Sequence, residues 1–436
     1  MKKYLVRGGA DPLINYRPKD VLIRNYIGGN SGNMLFLYGV INELTTDGAV
    51  CEITNRKSSW SDAEIERING EYDAVILPMA DAFRADYIST LNSYTDFIKK
   101  LRIPCVVTGV GLRAELEPDL KAKRPFDDDV RRFVKGVLDH SSKLGLRGEF
   151  TAEYLRKLGF TPDRDFTVIG CPSLYMHGMA IEQKEPDFHK IGINLNAIAP
   201  AVINEAYINL IRDNANVHII QQRQIEFVDW FYGKSVDLST FVPEYARRNI
   251  FSEFDFKTLK RENRVHFFLN VPSWIEFMRS FDVFIGCRFH GIAAAILAGV
   301  PSAITAIDSR TRELAMYHCI PQLTEEELRG KPLSACMQNI DYSQFHKQHG
   351  RNLEHYISFL TDNGLQTGYT RNNELTYGSS VLERSILEKG HASTVYTGFD
   401  ACGIQERLRR EMEYGMYSSI AGTKRRIKSM IQKAHS

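Results

Sequence analysis

The sequence predicts a two-domain α/β protein, with two parallel sheets facing a cleft and a helical tail. Three observations lead there. The chain has 436 residues, more than the roughly 250 to 300 at which a single hydrophobic core stops growing. Short β-branched runs alternate with longer helical stretches, the pattern of βαβ units and parallel sheets. That rhythm runs twice, and the polar, aperiodic stretch 181–187 lies between the two series. These features place one domain at 1–182, a second at 188–345, and a mostly helical tail at 346–436 that packs back on the core.

Composition narrows the class. With 43% hydrophobic and 25% charged residues the chain is close to the globular average, and no run approaches the roughly 18 apolar residues of a membrane span. Arg7 and Gly8-Gly9 interrupt the opening apolar stretch before it reaches signal-peptide length, so no export is expected. Seven cysteines, an odd number, sit mostly in apolar runs such as 103–107 and read as buried thiols in a reducing, cytoplasmic setting. Fifty-five basic against 53 acidic residues leave a net charge of +2, which excludes nucleic acid as a general partner. Any anion site must be local.

In the first half, strands are expected at 49–53, 74–77, 105–108 and 166–169, with helices near 31–44, 85–101, 127–142 and 149–158. A short strand at 21–23 is expected to lead into Gly28-Gly29-Asn30-Ser31-Gly32-Asn33, whose glycines would let backbone N–H groups reach an anion at a helix N-terminus. This loop has neither the Gly-Lys-Ser/Thr of a phosphate loop nor a dinucleotide fingerprint, and a plain tight turn is the competing reading. Gly109-Val110-Gly111-Leu112-Arg113 follows the third strand, where Arg113 would either face the cleft or stand as an ordinary solvated arginine. Arg147 ends the apolar run 144–146 just before a helix, a position suited to gripping a carboxylate or phosphate, or to pairing with Glu149.

The second half repeats the scheme, with strands at 191–195, 217–220, 265–268, 283–286 and 303–305. Its strongest constellation is Gly286-Cys287-Arg288-Phe289-His290-Gly291, an apolar strand ending in Arg-x-His at the start of the small-residue helix 292–299. Arg288 would supply a bidentate cation, the helix start N–H donors, and His290 a titratable group. Beyond 345, helical pieces are expected at 351–361, 401–416 and 423–434. The last carries Ile427, Met430 and Ile431 among lysines and arginines, which suits either a solvated helix or a peripheral contact with an anionic membrane.

At these motifs the sequence resembles the polysaccharide pyruvyltransferase family. The Gly29 to Asn33 loop, Gly109-Val110-Gly111, Arg147, Gly170-Cys171-Pro172 and the 282–291 segment fall in the family's order, over roughly residues 25–320. The resemblance implies a GT-B-like fold of two Rossmann-like domains, and transfer of the enolpyruvyl group of phosphoenolpyruvate to two hydroxyls of a sugar as a cyclic ketal. It implies no metal and no cofactor beyond that donor substrate. It maps donor binding onto Arg147, Arg288, Phe289 and His290, with Arg310 in the place of a further basic residue, and Gly29, Asn30, Asn33 and Arg113 as additional cleft positions. Two departures stand out. Asn33 replaces an acidic residue common in the family, and Pro78-Met79-Ala80-Asp81 replaces a glycine run, which leaves Asp81 as the candidate carboxylate base or, equally, a helix cap.

Ketal formation needs a proton for the methylene carbon, neutralisation of carboxylate and phosphate, and removal of two hydroxyl protons. His290 and Arg288 are the first candidates, His290 as proton donor or support for departing phosphate. The resemblance further implies cell-surface polysaccharide, capsule or exopolysaccharide synthesis in the cytoplasm or at the inner face of the membrane. The acceptor's lipid linkage and the oligomeric state stay open. A GT-B glycosyltransferase using a nucleotide sugar, and an inactive glycan-binding scaffold, are the competing readings.

Overall fold

A computed structural model describes residues 1–434 except 15, 55–58, 179–180, 197–198, 235–255, 331, 339 and 370–395, with side chains beyond 420 excluded. Two parallel sheets organise the chain. The first has the order β2-β1-β3-β4, formed by Lys2–Arg7 (β1), Ala49–Thr54 (β2), Ala74–Pro78 (β3) and Cys105–Thr108 (β4). A parallel bridge between Val110 and Leu146 continues it toward Leu144–Leu146 (β5), which pairs with Phe166–Val168 (β6). The second has the order β11-β10-β7-β8-β9, from Ile191–Asn194 (β7), Val217–Gln221 (β8), Val265–Phe267 (β9), Val283–Gly286 (β10) and Ser302–Ile304 (β11).

The strands are apolar on both faces because helices cover both sides. Tyr4, Val6, Ile76 and Val106 enter one core, while Leu5, Val75, Leu77, Cys105 and Val107 enter the other, the period of two expected of a strand. Strand order decides where a site can form. It reverses between β1 and β3 in the first sheet and between β7 and β10 in the second. Open α/β sheets bind ligands outside the carboxyl ends of their strands at such a reversal, and the loops after these four strands all reach the same cleft.

Several expectations need correction. Residues 21–23 are not a strand but part of the helix Pro18–Arg24: Pro18 presets the first turn, Asp20 suits its positive end, and Asn25 closes it at φ 49°. The central strand β1 was not anticipated at all. The two helices expected at 401–416 and 423–434 are one, Ile404–Ala434. Only Cys105, Cys171 and Cys287 are fully buried; Cys51, Cys319, Cys336 and Cys402 are half-buried.

The tail closes the molecule. Helix Ser343–Asp362 docks through Tyr356, whose hydroxyl donates to Glu43 at 2.5 Å in the first domain. Helix Ile404–Ala434 lies on Pro18–Arg24 and on Gln224–Tyr232, with the Arg410 guanidinium 3.8 Å from the Phe231 ring centroid. Among the described residues no helix is long and apolar enough to cross a membrane.

Candidate active site

The cleft between the sheets holds a cavity of about 540 Å³, within the roughly 300–1,000 Å³ of small-molecule sites. Seven arginines and two aspartates line it. That excess of cations marks the wall as an anion site, and the differing commitments of the arginines decide which of them can act.

Strand β10 delivers Arg288 and His290 as expected, since the helix Phe289–Leu297 begins immediately after it. Asn194, at the end of the neighbouring β7, holds this turn from both sides: its Oδ1 accepts from the Arg288 N–H at 2.8 Å and its Nδ2 donates to the Arg288 carbonyl at 3.2 Å. The expected open bidentate cation is not there. Arg288 donates through Nη2 to Glu226 Oε1 at 2.6 Å and through Nε to the Leu195 carbonyl at 2.8 Å. A guanidinium with only a tenth of its side chain exposed is drawn to a carboxylate.

Arg310 is similarly engaged. It donates to Asp81 across the cleft at 2.7 Å and to Asp308 beside it. Asp81 is therefore an ion-pair partner before it can be a base. Burial alone would raise its carboxyl, but Arg310, Arg147, Arg84 and Arg113 outweigh that and hold it below the ordinary carboxylate range. The result is a weak base.

Arg147 differs from both. It is 7% exposed, and among the described residues its Nε has no hydrogen-bond partner and its Nη2 reaches only the Gly109 carbonyl at a long 3.5 Å. Gly111 makes room for it, since a Cβ there would lie 2.3 Å from Arg147 Cδ. Arg113 lines the same cavity and is exposed.

His290 sits beside this arginine in a tight seat. A Cβ on Gly32 would lie 2.6 Å from its Nδ1, Phe36 stacks on it at 6.2 Å between centroids, and Cys171 Sγ lies 3.7 Å from its Nε2. Burial, reinforced by the Arg147 and Arg310 guanidiniums, pushes the imidazole down to about 3. His290 is therefore neutral near pH 7 and meets a ligand as a hydrogen-bonding group or base rather than as a standing imidazolium.

Of the two readings of the glycine-rich loop, the structure favours the tight turn. Every N–H from Gly28 to Met34 is bonded within the protein. Gly28 and Gly29 donate to Asn25, Asn30 to Ile27, Ser31 to the Gln222 carbonyl, Gly32 to the Asn30 side chain, Asn33 to Asn30 and Met34 to Ser31. Gln224 N–H donates in turn to the Gly29 carbonyl at 3.0 Å. The loop is thus a seam between the domains rather than an open cradle for an anion. Asn33 also serves it, donating to the Ile27 and Gly28 carbonyls. Gly29, Asn30 and Asn33 nevertheless border the cavity.

Several residues of the site lay outside the sequence reading. Arg7 ends the unanticipated β1 and donates to the Tyr94 and Tyr87 hydroxyls and to the Pro78 carbonyl. Arg223 caps the helix Gln224–Tyr232 after β8, Glu226 lies in its first turn, and Arg84 belongs to the loop after β3. Glu313, buried beneath Arg147, accepts from the Thr151 N–H at 3.0 Å and from its hydroxyl, and burial pushes it up to about 7 against the pull of Arg147. Glu226 had a faint signal as the third residue of the helix Gln224–Tyr232, where a glutamate can cap its own helix start. Glu313 had none, because its role depends on two distant helices meeting. Among the described residues no His, Cys, Asp and Glu cluster has metal-holding geometry.

Comparison with known proteins follows the same line. The family model for Polysaccharide pyruvyl transferase matches residues 30–309, more than half of the chain and the stretch that carries Arg147, Arg288 and His290. No protein of curated function matches the sequence. Among solved structures, a UDP-GlcNAc 2-epimerase from Methanocaldococcus jannaschii in complex with UDP-GlcNAc and UDP is 14% identical, with a TM-score of 0.43 over 82% of this chain and 99% of that one. Anabaena HepE in complex with UDP-glucose is 12% identical, with a TM-score of 0.42 over 84% and 98%. A functionally uncharacterized Klebsiella pneumoniae protein is 12% identical, with a TM-score of 0.39 over 72% and 88%. Likeness this distant transfers no substrate.

Proposed function

The chain belongs to the polysaccharide pyruvyl transferase family, and from that premise we propose that it transfers the pyruvyl group of phosphoenolpyruvate to two hydroxyls of a polysaccharide sugar or its precursor, forming a cyclic ketal. The observation that carries this reading is Arg147, a buried guanidinium with an unpartnered Nε beside a neutral imidazole. A desolvated cation without its full complement of acceptors is costly. A ligand bearing both carboxylate and phosphate supplies acceptors that the protein lacks there.

In this reading Arg147 receives one anionic group of the donor, and the remaining cation excess of the wall faces the other. The C2–O bond to phosphate breaks, and C2 gains bonds to two sugar oxygens. One hydroxyl proton ends on the methylene carbon, which becomes methyl, and the other leaves with phosphate, so atoms and charge balance. His290, kept neutral by burial and the neighbouring guanidiniums, accepts a hydroxyl proton or hydrogen-bonds the departing phosphate. An arriving phosphate dianion offsets the guanidiniums around it and raises its basicity. Arg288 and Arg310 act as positioned charges held by Glu226, Asp308 and Asp81. The aspartate's lowered basicity favours a role in orienting Arg310 over one as general base.

Thermal shift with phosphoenolpyruvate and with a panel of nucleoside diphosphates, on the native protein and on Arg147→Ala, tests this. Stabilisation of about 2.7 kcal/mol is expected at a hundredfold excess over Kd, with phosphoenolpyruvate only, and lost in the variant. Stabilisation by a nucleoside diphosphate with indifference to phosphoenolpyruvate would make the protein a nucleotide-sugar glycosyltransferase instead.

A further inference from the structure

We propose that the helix Ile404–Ala434 carries a docking surface for an anionic membrane. One face of this helix is spent on the protein. Arg410 is 4% exposed and donates to the Phe231 and Thr397 carbonyls, Tyr414 packs on Tyr232 at 5.6 Å between ring centroids, and Tyr417 accepts from Lys19. Among the described residues nothing covers the other face. Ile404, Leu408, Met412, Met416 and Ile420 are 76%, 55%, 75%, 57% and 41% exposed. They recur every fourth residue, so they form one continuous ridge along the helix.

Isolated exposed apolar side chains are ordinary, but a contiguous row is not. Five of the eight large apolar residues that stand exposed among the described residues belong to this ridge. At roughly 100° per residue, each step of four advances the ridge by about 40°, so it winds around the helix from Ile404 to Ile420.

Charge identifies the partner. Between 404 and 420 the acids Glu406, Glu411 and Glu413 are paired with Arg409, Arg410 and Lys234. From 424 to 433 the sequence has Lys424, Arg425, Arg426, Lys428 and Lys433 and no acid. A second copy of the chain would bring the same five cations to an interface whose own acids are already engaged. A sheet of anionic headgroups complements them, while the ridge supplies apolar surface for the acyl boundary.

Co-sedimentation of the full-length protein with vesicles tests the proposal, using phosphatidylcholine alone and phosphatidylcholine mixed with phosphatidylglycerol. Binding is expected to the mixed vesicles, to weaken with salt, and to fall by about tenfold or more both in Leu408→Gln/Met412→Gln/Met416→Gln and in Lys424→Gln/Arg425→Gln/Arg426→Gln/Lys428→Gln. A single Met416→Asp variant serves if the triple substitution alters the melting curve. Equal binding by the variants, or no binding by the native chain, overturns the proposal. So does a native dimer that the ridge variant dissociates with no vesicle affinity, which would assign the face to a second copy.

Discussion

Gly32→Ala tests the seat of His290 with a single methyl group. A Cβ at position 32 would lie 2.6 Å from His290 Nδ1, 2.8 Å from its Cβ and 2.9 Å from Cγ. Ordinary van der Waals contact begins near 3.5 Å, so the imidazole must move by about 1 Å. Position 32 is the first residue of the helix Gly32–Leu44, where alanine is favoured over glycine by about 0.5–1 kcal/mol. Overpacking opposes this by roughly 1–3 kcal/mol, so stability should fall by no more than about 3 kcal/mol. Under the proposed function a displaced His290 would lose its hydrogen bond to the donor, and a bond to a charged group contributes about 1.5–3 kcal/mol. Isothermal titration calorimetry should therefore show phosphoenolpyruvate binding weakened about tenfold or more. Gly70→Ala is the control, since nothing lies within 4 Å of the added atom, and it should leave binding unchanged. Native affinity in a folded Gly32→Ala protein would refute the placement of His290 at the donor.

Other perturbations have outcomes of comparable definition. Tyr356→Phe leaves the buried Glu43 carboxyl, pushed well above its ordinary value by burial, without its 2.5 Å donor; denaturant titration should show a loss of about 1–3 kcal/mol with donor binding intact. Glu313, raised to about 7, favours the folded state in its protonated form. That contribution is complete below about 4.5 and is lost as pH rises through about 7, so native stability relative to Glu313→Gln should decline across that window by at most about 3 kcal/mol. Burial holds His290, His318 and His266 down to about 3 and His218 to about 4. The stability of these neutral imidazoles is present above about 6.5 and lost as pH falls toward those values. By NMR none should titrate above about pH 5 in the free protein, and phosphoenolpyruvate should raise His290 alone among them.

Much of the fold was legible because apolar runs of strand length, bounded by glycine or proline, have few alternatives. Strands 74–77, 105–108 and 283–286 appear within a residue of expectation. Where the reading failed, local chemistry had two meanings. Val21-Leu22-Ile23 is as apolar as a strand, but Pro18 and Asn25 bracket it as a helix. The run Tyr4-Leu5-Val6 is as short as the start of a leader and carries no turn signal before it, so the central strand and Arg7 are not legible there. At the site, residue identity could place Arg147, Arg288 and His290 at strand ends, yet could not tell which arginine is occupied. That distinction lies in Glu226, Asp308 and Asp81, two of them reached only once distant elements meet. The glycine loop teaches the same point: its sequence offers N–H donors, and Gln222 and Asn25, brought close by folding, had already taken several of them.

A cleft wall with seven guanidiniums and two carboxylates treats every small anion alike at first approach. In the proposed reaction inorganic phosphate, the leaving group, would meet the same Arg147 that receives the donor. Such a wall shifts the kinetic burden from capture to release. Turnover should then be paced by the residence time of phosphate, and saturating phosphate in a buffer should act as a competitor of the donor. The ionic composition of the medium becomes, in effect, a regulator of the enzyme.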